Sequence, residues 1–296
     1  MNFYTVPSVI IGKPATYQVT VAAVNTTSLR GVSENLWRVG DLATFVDPIT
    51  GTTLYQTRVT AVDEVEFGHP QFGSLSTRTL TFDRPIDGFR FASGPTAIDS
   101  AGFRNDTAIY NSSTSKGFLV QGTTLSNARR YGQFVMADDV QLLDSTYHGL
   151  SDSAIAGHNE SNWPIGLYAN NVLVQNNRCL RNGFSSRYFE QDYLAGVVAF
   201  NMDRLGHQFV ERAEYGLSRI EISDNIFRGW GKTAIAARNV SNLTIENNQI
   251  FSPLAFPNSA DSNQWFGVDL QFNRDVELLE NKLFSGVEML RDVSNV

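Results

Sequence analysis

Five stretches of the chain share one arrangement of apolar and polar positions: Val140-Gln-Leu-Leu-Asp-Ser, Val172-Leu-Val-Gln-Asn-Asn, Ile220-Glu-Ile-Ser-Asp-Asn, Leu243-Thr-Ile-Glu-Asn-Asn and Val276-Glu-Leu-Leu-Glu-Asn. Each reads apolar, any, apolar, any, then a polar pair. Alternation of this kind predicts a short strand with one face buried. The polar pair predicts a turn, because Asn and Asp tolerate left-handed backbone and hydrogen-bond locally. A second set of stretches alternates with the first: Gly132-Gln-Phe-Val-Met, Ser153-Ala-Ile-Ala-Gly, Gly196-Val-Val-Ala-Phe, Thr233-Ala-Ile-Ala-Ala and Gly267-Val-Asp-Leu-Gln. The repeating unit is therefore strand, polar turn, connection, strand.

Phe118-Leu-Val opens an earlier copy, so the repeats start at 118, 140, 172, 220, 243 and 276, in steps of 22, 32, 48, 23 and 33 residues. The short steps correspond to one bare coil, and the long ones to a coil carrying an insertion. Strand-only periods of this size predict a parallel β-helix, in which each coil buries its apolar face on its neighbours. Side chains at equivalent positions then stack along the axis. The pairs Asn176-Asn177, Asp224-Asn225, Asn247-Asn248 and Glu280-Asn281 fit such a ladder and read as structural.

Upstream the pattern changes. Residues 1–35 give strands without a clear register. Residues 36–91 contain Trp37-Arg-Val-Gly-Asp-Leu-Ala-Thr-Phe, Thr57-Arg-Val-Thr-Ala-Val and Arg78-Thr-Leu-Thr-Phe-Asp-Arg-Pro-Ile, punctuated by turn signals. These predict antiparallel strands in a small barrel or ribbon. The expected organisation is all-β: N-terminal strands over 1–35, an antiparallel insert over 36–91, and β-helix coils over 92–296.

Composition narrows the function. The 296 residues are 42% hydrophobic, ample for a large core, and the net charge is −7. That balance argues against a nucleic-acid partner, which calls for clustered Lys and Arg. The single cysteine, Cys179, permits no internal disulfide, and no zinc motif is present. No stretch is apolar enough for a helix to span a membrane, and the first residues lack the features of a signal peptide. Neither a metal nor another cofactor is expected.

Candidate chemistry gathers between residues 129 and 192. Asp138, Asp139 and Glu160 follow the second strands of successive coils. Neighbouring strands lie about 4.8 Å apart, so carboxyl groups one coil apart fall near the roughly 5–9.5 Å separations used in glycoside hydrolysis. Asp139 directly precedes Val140, a turn position, so a structural role competes with a catalytic one. The loop His158-Asn-Glu-Ser-Asn-Trp adds His158 and Trp163, and the next insertion adds Arg187 and Asp192. Arg130, Tyr131, His148 and Asp152 come from adjacent coils. Together these are candidate sugar contacts on loops of a rigid scaffold; individually, each also has a plain structural reading.

The coils resemble those of the right-handed parallel β-helix superfamily typified by pectate lyases. The stretch from Ser126-Asn-Ala-Arg-Arg-Tyr-Gly through Ser153-Ala-Ile-Ala-Gly-His-Asn-Glu-Ser-Asn-Trp to Asn171-Val-Leu-Val-Gln-Asn-Asn is similar to the β-helix α-1,3-galactosidases, whose small inserted barrel the Gly40-Asp41 segment also resembles. This resemblance implies inverting hydrolysis of a terminal sugar by carboxylates from adjacent coils, without metal. Asp138 or Asp139 would supply one carboxylate and Glu160 the other. That family's loop begins with Asp directly after Gly, where this chain has His158. The expectation is a carbohydrate-active hydrolase with an oligo- or polysaccharide substrate, monomeric, and secreted or periplasmic by substrate class. The alternatives are a non-catalytic sugar-binding or adhesive β-helix, a tailspike-like trimer, or a polysaccharide lyase. The sugar and the stereochemical outcome stay open.

Overall fold

The structure is a computed structural model. It describes residues 2–4, 7–23, 37–46, 53–69, 73–89, 108–113, 116–158, 169–184, 196–201, 217–231, 233–254, 266–284, 287–291 and 293–294. The described residues are all-β.

Six strands close an antiparallel barrel: β2 (Pro7–Ala15), β3 (Gln18–Ala23), β4 (Leu42–Val46), β5 (Thr53–His69), β6 (Gly73–Phe82) and β7 (Ala108–Asn111), in the order β2-β3-β6-β5-β4-β7. Closure leaves no free sheet edge. Its core of Ile10, Val19, Val21, Ala43, Phe45, Val59, Leu80, Phe82 and Ile109 comes from inward positions of these strands, joined by Trp37 and Ile86 from the connections. Strand β1 (Asn2–Tyr4) lies outside the barrel and pairs with the solenoid, Phe3 opposite Val135.

The rest is a parallel β-helix. Three strands per coil recur from β8 to β25, building three parallel sheets. The first sheet holds β8 (Leu119–Gln121), β11 (Val140–Leu143), β14 (Asn170–Gln175), β17 (Leu217–Ser223), β20 (Val240–Glu246) and β23 (Arg274–Leu279). The second holds β9 (Thr124–Ser126), β12 (Thr146–His148), β15 (Arg178–Asn182), β18 (Ile226–Trp230), β21 (Gln249–Ile250) and β24 (Lys282–Leu283). The third holds β1, β10 (Gln133–Met136), β13 (Ile155–His158), β16 (Val198–Asn201), β19 (Thr233–Arg238), β22 (Phe266–Gln271) and β25 (Val287–Arg291).

In the first sheet Val140, Val172, Ile220, Leu243 and Val276 pair in succession, as the repeat requires. In the third, Gln133 pairs with Ile155, one residue beyond the match suggested by the sequence rhyme. The interior is filled by stacked apolar columns, with Val120, Leu142, Val174, Ile222 and Ile245 in one core.

Left-handed backbone forms the corners. At the turn from first to second sheet, Gly122, Asp144, Asn176, Asp224, Asn247 and Glu280 all have φ between 51° and 64°. The next residue points inward, and Asn177, Asn225 and Asn248 are fully buried. Each carbonyl oxygen accepts from the coil before: Asn177 N to Asn225 Oδ1 at 2.9 Å, Asn225 N to Asn248 Oδ1 at 3.0 Å, Asn248 N to Asn281 Oδ1 at 3.0 Å. Each amide nitrogen also donates to a strand carbonyl, as Asn225 Nδ2 does to Val174 O at 2.9 Å. The ladder satisfies backbone groups that the sharp turn would strand in the core.

Candidate functional site on the outer face of the third sheet

The lengths of the connections single out one face. Every turn from the first to the second sheet is two residues long, from 122–123 to 280–281. The longest connections in the solenoid, 159–169, 183–197, 202–216 and 251–265, each adjoin a third-sheet strand. Extra sequence is thus admitted only beside the third sheet, where a scaffold of this kind carries function.

The third sheet is also buried on both faces: all described positions of β10, β16 and β19 are buried. Its inner residues, including Val135, Ile155, Val198, Phe200, Ile235 and Leu270, belong to the solenoid core. The outer face is apolar at one end, where Phe134, Met136 and Ala156 pack with Tyr131. Small residues follow, Ala199 against Ala236. On the inner face Gly157 is required, because a Cβ at this position would meet the Phe200 ring at 2.6 Å.

Polar side chains then take over. Ala156, Ala199, Ala236 and Asp269 form one row, and His158, Asn201, Arg238 and Gln271 the next. Arg238 is only 1% exposed and Asp269 6%. The Arg238 guanidinium lies 5.2 Å from the centre of the Phe272 ring, and Gln271 Nε2 donates to Asp269 Oδ1 at 3.1 Å. Buried charge is costly unless paired, so Arg238 and Asp269 on an outer sheet face mark a place where polar groups are held in an apolar setting.

Asp138 lies at the corner from the third sheet to the first. Its half-buried carboxyl accepts from Asn170 Nδ2 at 3.0 Å, and Asn170 Oδ1 accepts from Ser218 Oγ at 2.8 Å. Desolvation pushes its pKa above the ordinary carboxylate value; the Asn170 hydrogen bond opposes this, and the neighbouring Asp139 adds to it. Asp139 is exposed, has φ of 56°, and accepts from Asn171 Nδ2 at 2.8 Å. It is one of a column of left-handed turn residues with Gly117, Asn171, Arg219, Asn242 and Asp275. The two aspartates thus differ in environment, one desolvated and one in water, as an acid and a base must.

The other candidates divide by position. Arg130 is exposed, 5.6 Å from the Tyr131 ring centre, and that ring lies 5.4 Å from Phe134. Both, with Asp152, precede third-sheet strands and so flank the edge opposite Asp138. The Asp152 carboxylate accepts from Ser153 N at 3.0 Å, a local turn bond. His148 is on the outer face of the second sheet, in register with Ser126 and Leu180, and so belongs to another face. His158 ends β13, on the same side as Asp138. Glu160, Trp163, Arg187 and Asp192 lie outside the described residues. Among the described residues no group of three or more His, Cys, Asp or Glu could hold a metal ion.

Asn201, Arg238, Asp269 and Gln271 were not singled out from the sequence. One signal was present: Asp269 stands, in Gly267-Val-Asp-Leu-Gln, where three other repeats have Ile155, Val198 and Ile235, and the structural register sets it instead beside the outward Ala236. No family model matches this chain, and no curated protein matches it.

Proposed function

We propose that this chain is a carbohydrate-active β-helix enzyme, a glycoside hydrolase whose site lies along the outer face and Asp138 edge of the third sheet. The observation that carries the reading is Asp138: a half-buried carboxyl with a raised pKa, at the edge of the sheet beside which the solenoid admits its insertions. Raised in this way, it serves as the general acid that protonates the leaving glycosidic oxygen. Glu160, two residues beyond the end of β13, supplies the second carboxylate, with exposed Asp139 as the alternative. Arg238, Asn201 and Asp269 form a buried polar layer behind the site, and Tyr131 and Trp163 offer ring faces to the apolar side of a sugar. The similarity to β-helix α-1,3-galactosidases accords with an inverting reaction on a terminal sugar.

One observation favours a non-catalytic sugar-binding module instead: Asp138 is tied into a side-chain ladder with Asn170 and Ser218, which is how a structural aspartate behaves. Turnover separates the two. Wild type, Asp138→Asn, Asp139→Asn and Glu160→Ala are assayed on aryl α- and β-glycosides and on plant and algal polysaccharides. Wild type is expected to release sugar. Asp138→Asn and Glu160→Ala should each lose roughly 10²–10⁴-fold in kcat, the range for an acid or base, with unchanged circular dichroism. Full activity in both variants would remove the assignment. Absence of turnover by folded wild type on every substrate would leave the binding module.

A further inference from the structure

The second sheet differs from its neighbours in charge. Its outer side carries Arg178, Arg181, Arg228 and Lys282, all exposed. None of its strands, nor the residues that continue them to 149, 230, 252 and 284, contains an Asp or Glu. This occurs in a chain of net charge −7, and the adjoining first sheet shows Glu221, Glu246 and Glu277 outward instead. The strands on this side of the solenoid thus carry exposed cations and no carboxylate.

Aromatic surface joins them. Phe227 pairs with Ile250, which puts Arg228 beside Phe251, and Ile250 pairs with Leu283, which puts Phe251 beside Phe284. The Arg228 guanidinium lies 4.1 Å from the Phe251 ring centre, and the Phe251 and Phe284 rings stack at 4.5 Å with planes 3° apart. Phe284 has one face against Phe251 and remains 60% exposed, so apolar ring surface is held open next to the cations.

We infer that this face binds a linear anionic glycan, with Arg178, Arg181 and Arg228 on its sulfate or carboxylate groups and Phe284 against a sugar ring. The shape favours a thin chain over a protein. Six rungs about 4.8 Å apart and strands of at most about five residues give a strip of roughly 24 by 17 Å, about 400 Å². A stable protein interface needs about 800 Å² per partner. The glycan runs along the axis, meeting cations on β15, β18 and β24. This site is on a different face from Asp138 and does not rest on the hydrolase reading.

Affinity electrophoresis of the whole chain through gels containing dextran sulfate or uncharged dextran tests this. Dextran sulfate should retard wild type and dextran should not. R178E/R228E should weaken retardation at least tenfold, and F284A severalfold; both change exposed side chains, and circular dichroism checks their fold. Polyglutamate and single-stranded DNA of matched charge should retard the chain less. The inference is overturned if folded wild type ignores dextran sulfate, if the variants bind like wild type, or if polyglutamate or DNA binds as tightly. It is also overturned if light scattering finds an assembly that R178E/R228E abolishes, because the face would then belong to a second copy.

Discussion

Asp138 and Asp144 show how one residue type acquires opposite properties from its surroundings. Asp144, at an exposed corner, accepts from Gln121 Nε2 and Asn176 Nδ2, each at 2.7 Å, and those bonds hold its carboxyl below the ordinary range. Asp138 has one side-chain donor and much less water, so its carboxyl titrates above that range. The fold therefore favours the protonated form of Asp138. Its contribution is complete below the unfolded value of about 3.9 and is lost as pH rises through the folded value. Asp144 behaves in reverse, with its contribution present above about 3.9 and lost as pH falls through the depressed value. Asp138→Asn should consequently gain Tm relative to wild type as pH is raised from acid to neutral. Asp144→Asn should lose Tm at neutral pH and converge on wild type in acid. Thermal melts across that range check both, and parallel curves for either variant would contradict the assigned environment. The sequence made Asp138 a candidate by its place after a strand. It could not distinguish Asp138 from Asp139, because burial and left-handed backbone are consequences of the corner.

Among the elements, the asparagine ladder is the device most plainly written in the sequence. A polar pair recurring after each first-sheet strand gave both its members their roles, the first in left-handed backbone and the second turned inward. Asn225 accepts from Asn177 N and Nδ2 and donates to Val174 O and Asn248 Oδ1. Truncation to Ala leaves the Asn177 N–H and the Val174 carbonyl buried without these partners. Asn225→Ala should therefore cost on the order of 3 kcal/mol, measured by urea denaturation. A loss under about 0.5 kcal/mol, the low end for a single hydrogen bond, would mean that water or a shifted turn replaces the amide. Other corner positions gave no such notice. Arg181, Arg219 and Phe272 also have φ of 54–55°, although nothing in these side chains prefers left-handed backbone. The stacking of coils imposes that conformation, because each corner must follow the one below it.

Among the described residues the two largest hydrophobic cores share no residue, one inside the barrel around Trp37 and Phe45 and one along the solenoid around Phe227 and Trp230. Contacts within the solenoid run mainly between neighbouring coils, so its stability is a sum of stacking steps. The barrel closes on itself. With Trp163 and Trp265 replaced by Phe, Trp37 should report the barrel and Trp230 the solenoid. Guanidinium unfolding followed by fluorescence, with each remaining tryptophan removed in turn, should give separate midpoints. Coincident transitions would show the two cores to be one cooperative unit. The same division of labour extends to the solenoid surface: the third sheet adjoins every long insertion and buries polar side chains, while the second carries exposed cations.

By itself, the order of residues determined that this chain is a parallel β-helix with an antiparallel barrel before it. Strand alternation and recurring turn pairs are local patterns, and stacking repeats them faithfully. It also placed Asp138 among the candidate acids. Tertiary structure decided which of these residues share a face. It moved His148 to the second sheet, put Arg130 and Tyr131 at the edge opposite Asp138, and aligned Asn201, Arg238, Asp269 and Gln271 into buried rows. Those alignments depend on inter-coil register across gaps of 33 to 43 residues. A one-residue change in register would send each side chain to the other face. Hydrogen bonding between coils fixes that register, and no local stretch of sequence contains it.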